Sequence, residues 1–194
     1  MFKKNVLYNQ IYPYHFLQIE VRCIVIKIHI LRGSGSGKTY LAKKLSEDLQ
    51  IPIFDLDMVF WSGNFSQKKE ESIRNQELME LSNKHDWVIE GVYYDWVDPS
   101  LAKADWIIWL DVRTHIRQRR VLTRYIKRVI GILPSKNESL KSIYNLLKWN
   151  FKYDEKNHLK IQNKLNKYRK KLIIFNRLSK KEYDSLLNQL KSHK

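Results

Sequence analysis

Between residues 27 and 45 the chain reads KIHILRGSGSGKTYLAKKL, and no other stretch restricts the possible folds so strongly. Ile24, Ile26, Ile28 and Ile30 alternate through residues 23–31, the period of a strand. Gly33, Gly35 and Gly37 break that run, and from Lys38 onward Leu41, Ala42, Leu45 and Leu49 recur at helical spacing. A strand that passes through so short a turn into a helix must fold the helix back over its own sheet. This is the opening of an alternating α/β layout. The first N–H groups of that helix have no partner within it, so its end faces the glycine turn as an anion site.

The residue types in the turn narrow the anion to phosphate. In the pattern G-x-x-x-x-G-K-[ST] the glycines let backbone N–H groups point inward. The lysine reaches the β- and γ-phosphates and the hydroxyl ligates Mg²⁺. Gly37, Lys38 and Thr39 satisfy its end, whereas its first glycine is here Arg32. The candidate cradle is Gly33, Ser34, Gly35, Ser36, Gly37, Lys38, Thr39 and Tyr40, and the competing reading is a chance glycine turn. A glycine position filled by a residue with a Cβ suggests left-handed strain of about 1–2 kcal/mol. Gly33 beside it would absorb part of that strain. The expectation is a triphosphate bound up to about tenfold more weakly than by a glycine loop, with Arg32→Gly restoring the loss.

The rest of the chain continues the alternation. "IPIFDLDMVFW" reads as a second strand ending near Asp55 and Asp57, followed by a polar helix around residues 68–84. "WVIEG" at 87–91 and "ADWIIWLD" at 104–111 are the third and fourth strands, the latter apolar on both faces as buried parallel strands are. Ile143, Leu146, Leu147 and Phe151 mark one amphipathic helix, and Leu159, Leu165, Tyr168 and Leu172 a second. "KKLIIF" at 170–175 reads as a fifth strand, and "SKKEYDSLLNQL" as a terminal helix. The fold class is α/β, a five-stranded parallel sheet flanked by helices. One domain over 23–194 follows an extension at 1–22, whose mixed Tyr, His and Pro show no period.

Charge is divided unevenly. Residues 1–112 hold 13 Lys and Arg against 15 Asp and Glu, and residues 113–194 hold 23 against 5, so the net +16 lies entirely in the second part. Such an excess is a solvated basic face or a surface for polyanions, either nucleotide phosphates or a nucleic-acid backbone. Arg117, Arg120, Arg124 and Arg128 are spaced to share one helix face, where like charges repel unless an anion lies against them. With 43% hydrophobic residues, six Trp and eleven Tyr the chain is not a disordered polyelectrolyte. Cys23 is the one cysteine, the six histidines have no metal-ligand spacing, and no apolar run approaches a membrane span. These features point to a cytoplasmic protein with no membrane association.

The order "GSGSGKT … IPIFDLDMVFW … WVIEGVYY … ADWIIWLD … RRVLTR" resembles the adenylate-kinase-like P-loop proteins of the topology modulation family, over about residues 26–190. The resemblance implies a three-layer P-loop fold with ATP and Mg²⁺ at the strand ends and a basic helical lid over about 113–170. By position it implies that Lys38 and Thr39 hold phosphate and magnesium. Asp57 would face the acceptor or the metal, and Glu90, where the family has Asp, would hold a metal-bound water. Arg120 and Arg124 fall in the lid motif, so the implied catalytic group is Lys38, Asp57, Glu90, Arg120 and Arg124, with Thr39 and Glu90 on the metal. Trp61 stands near the acceptor position, and Tyr93 keeps the aromatic of a "GNY" element in which Val92 replaces Asn. Asp55 and Asp57 also resemble the F-D-x-D of shikimate- and gluconate-type kinases, although they could be plain turn residues. Asp111 reads as a cap or structural residue. Residues 1–25 have no counterpart in the family and are expected to be dispensable.

Three functions fit these observations. The first is a phosphotransferase moving the γ-phosphoryl of Mg·ATP to a nucleotide or a small hydroxyl acceptor. The second is a DNA-binding topology modulator using the basic part, and the third a degenerate ATP-binding protein without turnover.

Overall fold

The computed structural model describes residues 25–63, 67–134 and 139–192. The extension, with Cys23 and Ile24, lies outside them. Five strands form one parallel sheet: β1 (Lys27–Leu31), β2 (Ile53–Asp55), β5 (Trp87–Gly91), β6 (Trp106–Leu110) and β7 (Leu172–Phe175). They stand in the order β2-β5-β1-β6-β7, so the strand order reverses beside β1. In α/β sheets a ligand crevice opens at the strand C-termini where the order reverses. The glycine turn leaves β1 at that point.

The three central strands, β5, β1 and β6, are mostly apolar and covered on both faces, whereas the edge strands β2 and β7 are half-buried. On one face Ile28, Ile30 and Ile108 meet Leu41 and Leu45 of α1 (Lys38–Leu49) and Leu186 of α7 (Lys180–Ser192). On the other, Ile89, Ile107 and Trp109 meet Leu101 of α4 (Asp98–Lys103) and Ile161 and Leu165 of α6 (Leu140–Asn166). Among the described residues no helix is long and apolar enough to cross a membrane.

The second strand ends at Asp55, as expected, and its carboxylate accepts the Asp57 backbone N–H at 2.8 Å and caps the short helix α2 (Leu56–Phe60). Beyond it β3 (Trp61–Ser62) and β4 (Gln67–Lys68) pair antiparallel, and the polar helix α3 occupies Glu71–Asn83. The two amphipathic helices expected after residue 140 are one helix of 27 residues, α6, which ends before Tyr168 and Leu172. The basic helix α5 (Thr114–Val129) packs against it.

Candidate active site

Gly35 and Gly37 carry the positive φ angles of the turn, 81° and 100°, and Gly37 caps α1. Arg32 does not: among the described residues Gln50 is the one non-glycine with positive φ. The Arg32 N–H instead donates to the Gly91 carbonyl at 3.2 Å, continuing the ladder between β1 and β5. The expected left-handed strain at Arg32 is therefore absent. Its side chain leaves the turn altogether. Nη2 lies 3.2 Å from Asp111, 3.6 Å from Asp154 and 3.4 Å from the Val112 carbonyl, with the guanidinium over the Trp109 ring. Asp111 is thus structural, as read from its place at a strand end.

Lys38 and Thr39 converge on Glu90. Lys38 Nζ is 3.0 Å from Glu90 Oε2, and the Thr39 hydroxyl donates to Oε1 at 2.6 Å. Glu90 ends a strand packed on both faces and is fully buried, so its charge is held by these two partners alone among the contacts above. A carboxylate and a hydroxyl side by side, both hard oxygen donors, fit Mg²⁺ better than a softer ion. Among the described residues no trio of His, Cys, Asp and Glu could hold a metal by itself. A divalent ion here needs the oxygens of a phosphate as well.

The arginine stripe of α5 is used unevenly. Arg117 is not available to an external anion. It is fully buried, and its Nη2 lies 2.6 Å from Asp154, which also accepts the Thr114 hydroxyl. Burial lowers the Arg117 pKa and the Asp154 carboxylate opposes that shift. Arg120 Nη1 donates to the Ser36 carbonyl at 2.9 Å, and Asn150 of α6 donates to the Ser34 carbonyl at 3.3 Å. These contacts tie the Ser36 and Ser34 carbonyls of the loop to α5 and α6. Arg120 and Arg124 line a cleft of about 230 Å³ together with Ser34, Gly35, Gly37, Lys38, Thr39 and Tyr40. Arg128 lies in the last turn of α5. Gly33 has no positive φ, and a Cβ there would stand 2.2 Å from Arg117 Nη1, so the buried guanidinium would have to shift to admit it. Ser36 is buried, and Tyr40 is exposed at the cleft.

Beyond Lys38 a second cleft of about 700 Å³ opens over β2 and β5. Asp55, Asp57, Phe60, Trp61, Tyr93 and Trp149 are among its lining residues. The Tyr93 hydroxyl donates to Asp57 at 2.9 Å, and its pKa is raised by burial and by that carboxylate. Asp55 pairs in register with Glu90, and its pKa is pushed up to about 6 by burial and then by the Glu90 charge. Val92, where the related motif has Asn, lines this cleft with its side chain and offers its carbonyl to Tyr153.

The structure therefore gathers Lys38, Thr39, Glu90, Asp57, Arg124 and Trp61 around connected clefts, and places Arg120 on the loop's rim. Sequence reasoning missed Asn150 and Asp154, which touch the loop or its arginines from α6. It also missed Trp149. No motif marks them. A polar residue at an inward helical position was the one available signal.

No protein-family model matches the chain. An uncharacterized protein of Bacillus subtilis, YqaC, is 27% identical over 128 residues, covering 66% of this chain and 72% of that protein. Among solved structures the fold resembles the shikimate kinase of Bacteroides thetaiotaomicron (TM-score 0.52, 18% identity, 86% of this chain and 96% of the other). A gluconokinase of Sinorhizobium meliloti is similar to the same degree (TM-score 0.52, 14% identity, 88% and 99%). An uncharacterized protein of Eubacterium ventriosum gives TM-score 0.52 at 19% identity, over 87% and 99%. At these identities the likeness establishes the fold, that of the P-loop kinases.

Proposed function

We propose that the chain is an ATP-dependent phosphotransferase that moves the γ-phosphoryl of Mg·ATP to the hydroxyl of a nucleotide or small-molecule acceptor, and that it falls in the adenylate-kinase-like topology modulation family its motifs resemble. The observation that carries this reading is the meeting of Lys38 and Thr39 on the buried Glu90 where the glycine turn opens helix α1. A lysine, a hydroxyl and a carboxylate at one helix N-terminus are the parts phosphoryl transfer uses, and the step asks for positioning and charge neutralisation more than covalent chemistry.

In this reading Lys38 exchanges Glu90 for the β- and γ-phosphates, and the turn from Gly33 to Tyr40 holds the phosphate oxygens. Thr39 and Glu90 would hold Mg²⁺, which would supply positive charge against the phosphates. Arg124, shared by both clefts, neutralises charge on the group in transfer, while Arg120 lines the glycine-loop cleft and fixes the loop through the Ser36 carbonyl. Asp57 accepts the acceptor hydroxyl and takes its proton. A bond forms from that oxygen to the γ-phosphorus, the bond from phosphorus to the β–γ bridging oxygen breaks, and ADP leaves.

Two of the four aligned arginines are engaged within the fold, Arg120 with the loop and Arg117 with Asp154, which weighs against a DNA-binding role for that stripe. The test is Mg²⁺-dependent ADP release from ATP in the presence of mixed hydroxyl acceptors. Acceptor-stimulated release that Lys38→Ala abolishes supports the proposal. Release that is equal in the variant contradicts it.

A further inference from the structure

We infer that the acceptor is an uncharged, ring-bearing polyhydroxyl compound of the nucleoside class, bound with its ring against aromatic side chains and its sugar hydroxyls on a carboxylate floor. This inference rests on the phosphotransferase reading above and names the substrate class of the same site.

The chemistry of the cleft lining selects this class. Its floor carries Asp55 and Asp57, with Glu90 beside Asp55 in the strand register. Ionised carboxylates only accept hydrogen bonds, and the nearest phenol is already used, since Tyr93 donates to Asp57. A ligand must therefore bring donors, as hydroxyls do. An acceptor with its own carboxylate or phosphate would meet the floor charges. The cations lining the cleft are Lys38, Arg124 and Lys68. Lys38 is held by Glu90, Arg124 also lines the glycine-loop cleft, and Lys68 is exposed with its ammonium 5.6 Å from the Phe60 ring.

Beside Ser34, Thr39, Val92 and Leu146, the lining carries four aromatic side chains, Phe60, Trp61, Tyr93 and Trp149. Phe60 and Trp61 come from α2 and β3, and Trp149 comes from α6. Phe60 is set in place by its stacking on Tyr93, with centroids 4.5 Å apart, and Trp149 by Tyr153 at 4.8 Å. Trp149 remains 41% exposed. An exposed indole at the edge of a carboxylate-floored cleft gains by stacking on a flat ring, and a ring-free polyol gives it nothing to stack on. The volume of about 700 Å³ holds such a molecule next to the transferred phosphoryl.

The experiment measures ADP release from Mg·ATP with three separate panels: the common ribo- and deoxyribonucleosides, the carboxylate-bearing acceptors shikimate and gluconate, and ring-free polyols. Calorimetry of Mg·ATP on the same wild-type protein is run in parallel. The expected result is turnover with nucleosides alone. Trp149→Ala then raises the nucleoside KM about ten- to hundredfold with a smaller change in kcat, and Trp149→Tyr recovers most of it. Turnover with carboxylates or ring-free polyols overturns the inference and leaves the phosphotransferase reading standing. ATP binding without turnover in any panel overturns it as well. Absence of ATP binding removes the underlying reading, and the inference falls with it.

Discussion

Arg32, at the end of the first strand, and Asp154, midway along the long helix α6, form a buried ion pair with Nη2 3.6 Å from Oδ1. Asp154 is shared with the fully buried Arg117, so one carboxylate fastens the root of the glycine loop to both α5 and α6. A loop position that is ordinarily glycine has become an anchor. Replacing Arg32 with Gly therefore removes a fastening and relieves no strain. Arg32→Gly is expected to lower the melting temperature and to leave ATP affinity unimproved. Thermal unfolding with parallel ATP titration checks both, and a variant that is equally stable and binds ATP more tightly would restore the strain account.

The converse change leaves one cation stranded. Asp154→Ala removes the counter-charge of the fully buried Arg117, while Arg32 keeps Asp111, and deleting one partner of a buried pair costs about 3–5 kcal/mol. Denaturant unfolding should show a drop of that size. A change below about 1 kcal/mol would mean that water already reaches these charges.

Gly33→Ala tests the same junction by volume. The added Cβ meets the buried guanidinium of Arg117 at 2.2 Å, and Arg117 is held in place by Asp154. Overpacking of this kind costs about 1–3 kcal/mol. Both reduced stability and weaker ATP binding are expected, measured on the same preparation.

The sheet was legible because its signals are local. Trp87–Gly91 is the strand expected from "WVIEG", an apolar run closed by Gly91. The second strand ends at Asp55, as expected, because that carboxylate caps the helix that follows. The long helix, by contrast, was split in two. Its inward face carries polar residues: Asn150 is fully buried while the neighbouring Phe151 is 60% exposed, and Asp154 and Asn157 point at Arg32, Arg117 and Tyr94. Hydrophobic periodicity cannot register a face that is buried because it meets arginines. In the site, Lys38 and Thr39 were legible from a motif, and Glu90 and Asp57 from resemblance. Asp154 and Trp149 depend on how α6 lies against the loop, which no short spacing encodes.

His29 supplies a pH dependence away from the site. It is fully buried in β1, neither ring nitrogen has a hydrogen-bond partner, and burial lowers its pKa from 6.5 to about 3. A folded-state pKa below the unfolded one means that the unfolded chain binds the extra proton. Its contribution to stability is thus full above about pH 6.5 and is lost as pH falls from there toward 3, by about 1.4 kcal/mol per pH unit. His29→Leu should flatten this acid-side loss and be at least as stable at pH 7, since it removes two unpaired buried nitrogens. Unfolding curves from pH 7 to pH 4 measure it, and an unchanged slope in the variant would contradict the assignment.

The central claim is that the turn from Gly33 to Tyr40 receives a triphosphate when Lys38 lets go of Glu90. Calorimetric titration of Mg·ATP into wild type and Lys38→Ala tests it most directly. The account predicts Mg²⁺-dependent binding by the wild type and a loss of about ten- to hundredfold in the variant, the worth of a charge-assisted hydrogen bond. Equal affinity in the two proteins, or a wild type that binds no ATP in the presence of Mg²⁺, would contradict it.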